Sequence, residues 1–329
     1  MTDNSAKNGT NTGDAKKHVL RLVAFFIACL VVGGIVLFLL FAPAINPSFI
    51  NEVLFYPEHD NTISDDWLSD DDEQFPKELN DAFHRMRRSL NKTDFAELQV
   101  PQPEDVSFKA SDGTELHGWY FKTTNDRGTV LLNWNGICDM RLPVLLGYIK
   151  VFEKAGLSVF AYDFRGFGKS GGTPATLGTF EDDGVAAYDY LLNDRKIPAD
   201  HIVLMGSQLG AHLALVQNAH KTCKAIILET PWTNLKKFID EIPAAQAMSI
   251  VPEPFYPKGA FDNTQYVKGQ HPPLLFVLTS DLPDHGGNLL QAASDPKQSV
   301  RLRSAPKNYI PLLRHVGSQY TKSVNELLK

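Results

Sequence analysis

The chain is poor in cysteine. Its 329 residues hold three, Cys29, Cys138 and Cys223. Their spacing fits neither a zinc site nor a disulfide framework, so the fold must rest on its packed core and no metal site is expected. Nor is there an excess of positive charge: 32 Lys and Arg stand against 38 Asp and Glu, for a formal net charge of −6. That balance excludes a nucleic-acid partner and adhesion to anionic lipid headgroups, both of which need a basic surface. No internal repeat is visible. Cofactor motifs are missing as well. Gly166-x-Gly168-x-x-Gly171 has the letters of a dinucleotide fingerprint, but Asp163 precedes it and Pro174 interrupts the chain just after it, where a fingerprint opens directly into a helix. Gly168-Lys169-Ser170 lacks the first glycine of a phosphate loop, a position held by Asp163. No cofactor is expected.

What the chain does have is apolar length. No charged residue interrupts Leu22 to Ala42, a run that at about 1.5 Å per residue crosses a hydrocarbon core of about 30 Å. Lys7, Lys16, Lys17 and Arg21 precede it, and the next basic residue is Lys77. The positive-inside rule then reads residues 19–43 as a transmembrane signal-anchor, with a disordered cytoplasmic tail at 1–18 and the bulk of the chain periplasmic or otherwise extracytoplasmic. The expectation is a single-pass protein of an inner or plasma membrane. A cleaved signal peptide is the rival reading, since Ala42-Pro43-Ala44 has small residues at cleavage spacing. Ile27-Ala28-Cys29 loosely matches a lipoprotein box, but apolar residues continue past Cys29.

Residues 44–100 read as a linker with an acidic run, Asp65 to Glu73, and an amphipathic helix over 76–91 carrying Leu79, Phe83, Met86 and Leu90 on one face. Val106 to Lys109 and Glu115 to Phe121 alternate around Asp112-Gly113 and predict a hairpin. Strands and helices then alternate: Thr129–Trp134, a helix to Ala155, Leu157–Asp163, a helix near Phe180–Asn193, His201–Met205, a helix at Ala211–Ala219, and Lys224–Leu228. Two later strands, Leu274–Leu278 and Ser299–Leu302, enclose a helix at Asn288–Ser294, and a last helix runs from Ser318 to Leu328. Such alternation implies an α/β fold with a mostly parallel sheet. The stretch 231–270, rich in Pro and aromatics, is expected to cap the sheet.

Two motifs sharpen this reading. Gly206-Ser207-Gln208-Leu209-Gly210 sits between an apolar strand and a helix, with glycines two before and two after Gln208. Asp163-Phe164-Arg165-Gly166-Phe167-Gly168-Lys169-Ser170-Gly171-Gly172 follows an earlier strand. Together they resemble the nucleophile elbow and the Asp-x-Arg-Gly-x-Gly-x-Ser-x-Gly loop of α/β-hydrolases of the Bem46-like and serine aminopeptidase-like group, with residues 101–329 as the domain. In that loop Asp163, Arg165, Gly166 and Gly168 take structural roles. The resemblance implies an esterase or amidase chemistry run by a Ser, Asp or Glu, His triad.

Here the pattern departs from the family. Gln208 stands at the nucleophile position, where a side-chain amide has nothing to offer as a nucleophile, and Ser207 lies one residue off the apex. Asp281, at the end of the strand Leu274–Leu278, fits the acid position, with Asp284 second. The base position falls at Lys307-Asn308, and the nearest histidine, His315, lies seven residues further on. Oxyanion donors would be the amides of Leu209 and Ile137, which do not depend on side-chain identity. Asn135-Gly136 replaces the usual His-Gly, and with Ser207 these residues are expected to shape the pocket.

These substitutions point to a membrane-anchored α/β-hydrolase-fold protein without serine-type turnover, whose pocket takes a small-molecule or acyl ligand or a protein partner of unknown kind. Two alternatives stay open: an active esterase, lipase or peptidase with an unconventional triad, and a purely structural scaffold.

Overall fold

The computed structural model describes residues 11–41, 101–125, 127–133, 142–240, 252–256, 261–279, 286–302 and 311–329. Residues 44–100, where a linker and an amphipathic helix are expected, lie outside them. An eight-stranded sheet forms the centre, in the order β1-β2-β4-β3-β5-β6-β7-β8. Its strands are β1 (Glu104–Lys109), β2 (Glu115–Phe121), β3 (Thr129–Asn133), β4 (Ser158–Asp163), β5 (Ile202–Ser207), β6 (Ala225–Glu229), β7 (Leu274–Thr279) and β8 (Lys297–Leu302). β1 pairs antiparallel with β2, and β2 with β4. From β4 onwards every neighbour is parallel. The Asp112-Gly113 signal is realised as a tight turn in which Gly113 takes φ 87° and the Thr114 amide donates to Asp112 Oδ1 at 3.0 Å.

β3, β5 and β6 are buried along their whole length, as central parallel strands covered on both faces must be. Period-2 alternation divides their side chains between two cores. Leu131, Ile202, Leu204, Ile226 and Leu228 face one core, with Leu209, Leu213 and the cap residues Trp232 and Phe261. Val130, Leu132, Val203, Met205, Ala225 and Ile227 face the other, with Tyr148, Phe152, Tyr320 and Val324. The first face is covered by α3 (Leu177–Asp189) and α4 (Leu209–His220), the second by α2 (Leu142–Lys154) and α8 (Pro311–Leu327). Short helices α5 (Leu235–Ile239) and α6 (Thr264–Val267) lie in the cap region, where no strand occurs among the described residues, and α7 (Gly287–Ala292) joins β7 to β8.

Two expected boundaries move by more than four residues. α8 starts at Pro311, seven residues before the predicted Ser318, because a proline in the first helical turn lacks only an N–H that would go unpaired anyway. α1 spans Asn11–Phe41 as one helix of 31 residues, so residues 11–18, expected from the sequence to be a disordered tail, are helical. Once a helix is nucleated, each further residue gains a hydrogen bond, which lets Ala15, Lys16 and Lys17 extend it. Leu20, Phe25, Phe26 and Leu30 are 64–76% exposed on α1. Among the described residues, no helix is long and apolar enough to cross a membrane.

A buried polar network locks the layers. Asn133 donates to Met205 O at 3.2 Å and Gln217 Oε1 at 2.7 Å, while Gln217 Nε2 donates to Gly184 O at 2.7 Å and the Tyr162 hydroxyl to Asn133 Oδ1 at 2.9 Å. Every polar group is answered, so β3, β4, α3 and α4 are held in one register.

Candidate active site at the elbow

Strand order reverses at β3, with β4 on one side and β5 on the other. The carboxyl ends of strands around such a switch point are where open α/β sheets place ligands. The elbow stands there. Gln208 takes φ 54° and ψ −113° between β5 and α4, a conformation that costs a non-glycine residue about 1–3 kcal/mol. Its amide donates to Glu229 O at 2.9 Å, and its carbonyl accepts from the Ala211 amide at 3.0 Å. Both bonds hold the apex. A Cβ on Gly206 would land on the Gly210 carbonyl oxygen and 2.5 Å from Ala211 Cα, so the first glycine of the motif is a steric requirement. Gln208 thus stands at the apex of a strained turn between β5 and α4.

Leu209 opens α4 directly after the apex and is buried. Asn135, Gly136 and Ile137 follow the end of β3, Asp281 and Asp284 follow the end of β7, and Lys307 and Asn308 follow β8; all lie outside the described residues. His315 falls in the second turn of α8. The structure therefore assembles Ser207, Gln208 and Leu209 at the elbow.

Ser207 points away from a pocket role. It is 5% exposed, and its Oγ donates to Glu229 Oε1 at 3.3 Å. The alternation of β5 puts Ser207 on the same face as Val203 and Met205, toward α2 and α8, while the turn presents Gln208 at the tip. Sequence reasoning missed Glu229. It ends the apolar run Ala225-Ile226-Ile227-Leu228, and a lone acid closing a buried strand next to the elbow strand is the signal that would have found it. Tyr148 of α2 donates to Glu229 Oε1 at 2.6 Å and Tyr320 of α8 to Oε2 at 3.2 Å. Burial pushes the Glu229 carboxyl up to about 7, against the pull of its three hydroxyl donors. Tyr148 and Tyr320 are raised well above the ordinary tyrosine value by burial and by the Glu229 charge.

The Asp-x-Arg-Gly-x-Gly loop is a scaffold beside the site. Gly166 and Gly168 take φ 75° and 50°, and a Cβ on Gly168 would overlap the Asp163 carboxylate. Ser170 Oγ donates to Asp163 O at 2.7 Å and accepts the His117 amide at 2.9 Å. The next helix begins only at Leu177, so these glycines do not open a helix N-terminus as a dinucleotide site requires. On the other side of the elbow, His212 of α4 meets Asn263 Oδ1 at 2.7 Å and Glu181 Oε1 at 3.0 Å, tying the cap to α3.

The family described as "Serine aminopeptidase, S33" matches residues 145–301. An uncharacterized protein of Salmonella typhimurium, YfhR, is 32% identical over 124 residues, covering 36% of this chain and 41% of its own. The α/β hydrolase domain-containing protein WAV2 of Arabidopsis thaliana is 32% identical over 138 residues, 40% of this chain and 44% of its own. An uncharacterized membrane protein of Saccharomyces cerevisiae, YNL320W, is 29% identical over 142 residues, 42% of this chain and 49% of its own. The chain thus spans less than half the length of these curated relatives. In fold it is similar to an esterase of Pyrococcus furiosus, with TM-score 0.57 and 20% identity over 72% of this chain and 94% of that one. An α/β hydrolase of Vibrio vulnificus superposes with TM-score 0.54 and 19% identity over 69% of this chain and 81% of that one.

Proposed function

We propose, from the premise that the chain belongs to the α/β-hydrolase superfamily, that it is a membrane-anchored member which has given up serine-type hydrolysis. Its elbow pocket binds a small-molecule or acyl ligand, or a protein partner, without turnover. The observation that carries this reading is Gln208 at the elbow tip with φ 54°. The backbone strain that presents a nucleophile is retained, and the nucleophile is not, which suits a site kept for recognition. The missing histidine at Lys307-Asn308 points the same way, since loss of a single triad member already costs orders of magnitude in rate.

Anchoring is read from the sequence, from the uncharged run Leu22 to Ala42 and the basic residues ahead of it. Basic residues ahead of the run place the N-terminus in the cytoplasm and the domain on the far side of an inner or plasma membrane.

A second reading is favoured by one contact, Ser207 Oγ on Glu229 Oε1 at 3.3 Å: a hydrolase in which Ser207 is the nucleophile and Glu229 its base. Fluorophosphonate labelling of the purified full chain in detergent separates the two. No labelling is expected. Robust labelling abolished by Ser207→Ala would overturn the loss of catalysis and establish the second reading.

A further inference from the structure

Thr230, the residue after β6, holds a conformation that its sequence resists. It takes φ 42°, a left-handed value that is an outlier for a β-branched side chain. Pro231 follows it, and a proline ring pushes the residue before it toward extended backbone. Two preferences are overridden at one position. The Glu229–Thr230 peptide shows what overrides them: its carbonyl oxygen accepts the Gln208 amide at 2.9 Å, and its N–H donates to Val277 O at 2.9 Å. That unit is clamped between the elbow apex and β7, so the chain turns at Thr230 itself.

The fold makes no use of the side chain's polar atom. Thr230 is 9% exposed, yet among the described residues no group hydrogen-bonds its hydroxyl. The fully buried side-chain atom left unanswered among those residues is His271 Nε2, so the Thr230 oxygen keeps access to the space around it. A polar side chain this deep is ordinarily hydrogen-bonded, and strain of this kind collects where a ligand is held. The register pairs Ser207 with Glu229, which makes Gln208 and Thr230 the next residues at the carboxyl ends of β5 and β6. Val277 O joins Thr230 to β7, the strand that Asp281 follows.

We propose that Thr230 is a ligand-contacting residue of the elbow pocket, its hydroxyl donating to the carbonyl oxygen of an uncharged ester, amide or ketone. The Thr230 hydroxyl and the Gln208 carboxamide are neutral hydrogen-bonding groups, and a neutral hydroxyl matches a neutral carbonyl acceptor, whereas it offsets little of what desolvating an ion costs. The Glu229 carboxyl is engaged by Tyr148 and Tyr320, on the face of α2 and α8. The inference rests on the reading of the elbow pocket as a binding site. A ketone probe suits the test because no hydrolase cleaves it, so the result does not depend on whether the elbow is catalytic.

The test uses the full chain in detergent and measures, by equilibrium dialysis, binding of 2-octanone and of octane, the same chain without a carbonyl. Thr230→Val keeps the branched shape and loses the hydroxyl. It should weaken 2-octanone binding about 3- to 10-fold and leave any octane binding unchanged, while Thr230→Ser should stay within about twofold of wild type. Without ligand, Thr230→Val should melt within about 2 °C of wild type, since its hydroxyl has no partner in the fold to lose. Equal 2-octanone binding by wild type and Thr230→Val, or an equal loss of octane binding, would overturn the role of Thr230 and leave the pocket reading standing. A fall of about 4 °C or more in the melting midpoint, or failure to fold, would show the hydroxyl bonded within the fold and overturn that role as well. No saturable binding of 2-octanone by wild type would overturn the proposal and the pocket reading together.

Discussion

Arg165 grips the buried carboxylate of Asp183 with Nε and Nη2 on Oδ1 at 2.9 and 2.7 Å, while its own backbone amide donates to Oδ2 at 2.9 Å. Its remaining arm reaches Asp112 in the hairpin turn at 2.6 Å. One guanidinium thus ties the loop after β4 to α3 and to the β1–β2 turn. Arg165→Ala would leave the Asp183 charge, 0% exposed, without its partner. The expected loss of stability is about 3–5 kcal/mol, measured by urea unfolding. Arg165→Lys should recover only part of it, because an ammonium cannot reproduce the fork.

Gly206 should tolerate no side chain. The Cβ of Gly206→Ala would meet Gly210 and Ala211 backbone, which cannot rotate aside. A cost of about 3 kcal/mol or a failure to fold is expected, checked by thermal unfolding against wild type.

The elbow itself can be asked for chemistry. Gln208→Ser should hydrolyse a short-chain ester little or not at all, since a serine without an adjacent base stays protonated. Adding Asn308→His supplies a base where the family carries one, and detectable turnover is expected only in the double variant. Strong hydrolysis by Gln208→Ser alone would reveal a base already in place, with His315 the nearest candidate.

Stability should depend on Glu229 in a defined window. Its folded value, about 7, lies above the ordinary 4.5, so the folded state holds the proton more tightly than the unfolded one. The fold is then least penalised below 4.5, loses stability as pH rises from 4.5 to about 7, and is level above that. The size is about 3 kcal/mol. Glu229→Gln, which mimics the neutral acid, should be more stable than wild type at alkaline pH and should flatten this part of the profile in denaturant titrations.

His117 acts in a neighbouring window. Asp163, 3.9 Å from Nδ1, and Asp105, in contact with Nε2, raise its imidazole above the ordinary 6.5. A raised histidine contributes fully below 6.5 and loses its contribution as pH climbs through the folded value. His117→Gln should remove that decline, which unfolding midpoints above neutral pH would reveal.

The sequence by itself determined the elements and their order. Alternating apolar runs named the strands, Asp112-Gly113 named the hairpin, and the glycines at 206 and 210 named the elbow, because each of these depends on backbone preferences acting over a few residues. Even the face of Ser207 was implicit in the period of its strand. Tertiary structure decided what those faces meet. Glu229 is an ordinary acid until the register pairs it with Ser207, and until Tyr148 and Tyr320, 81 and 91 residues away in the chain, close over it. Burial and partnership are properties of packing between distant segments, and no local pattern encodes them. The start of α8, at Pro311 and not the expected Ser318, was likewise beyond local reading; there the proline lacks only an N–H that would go unpaired in a first turn anyway.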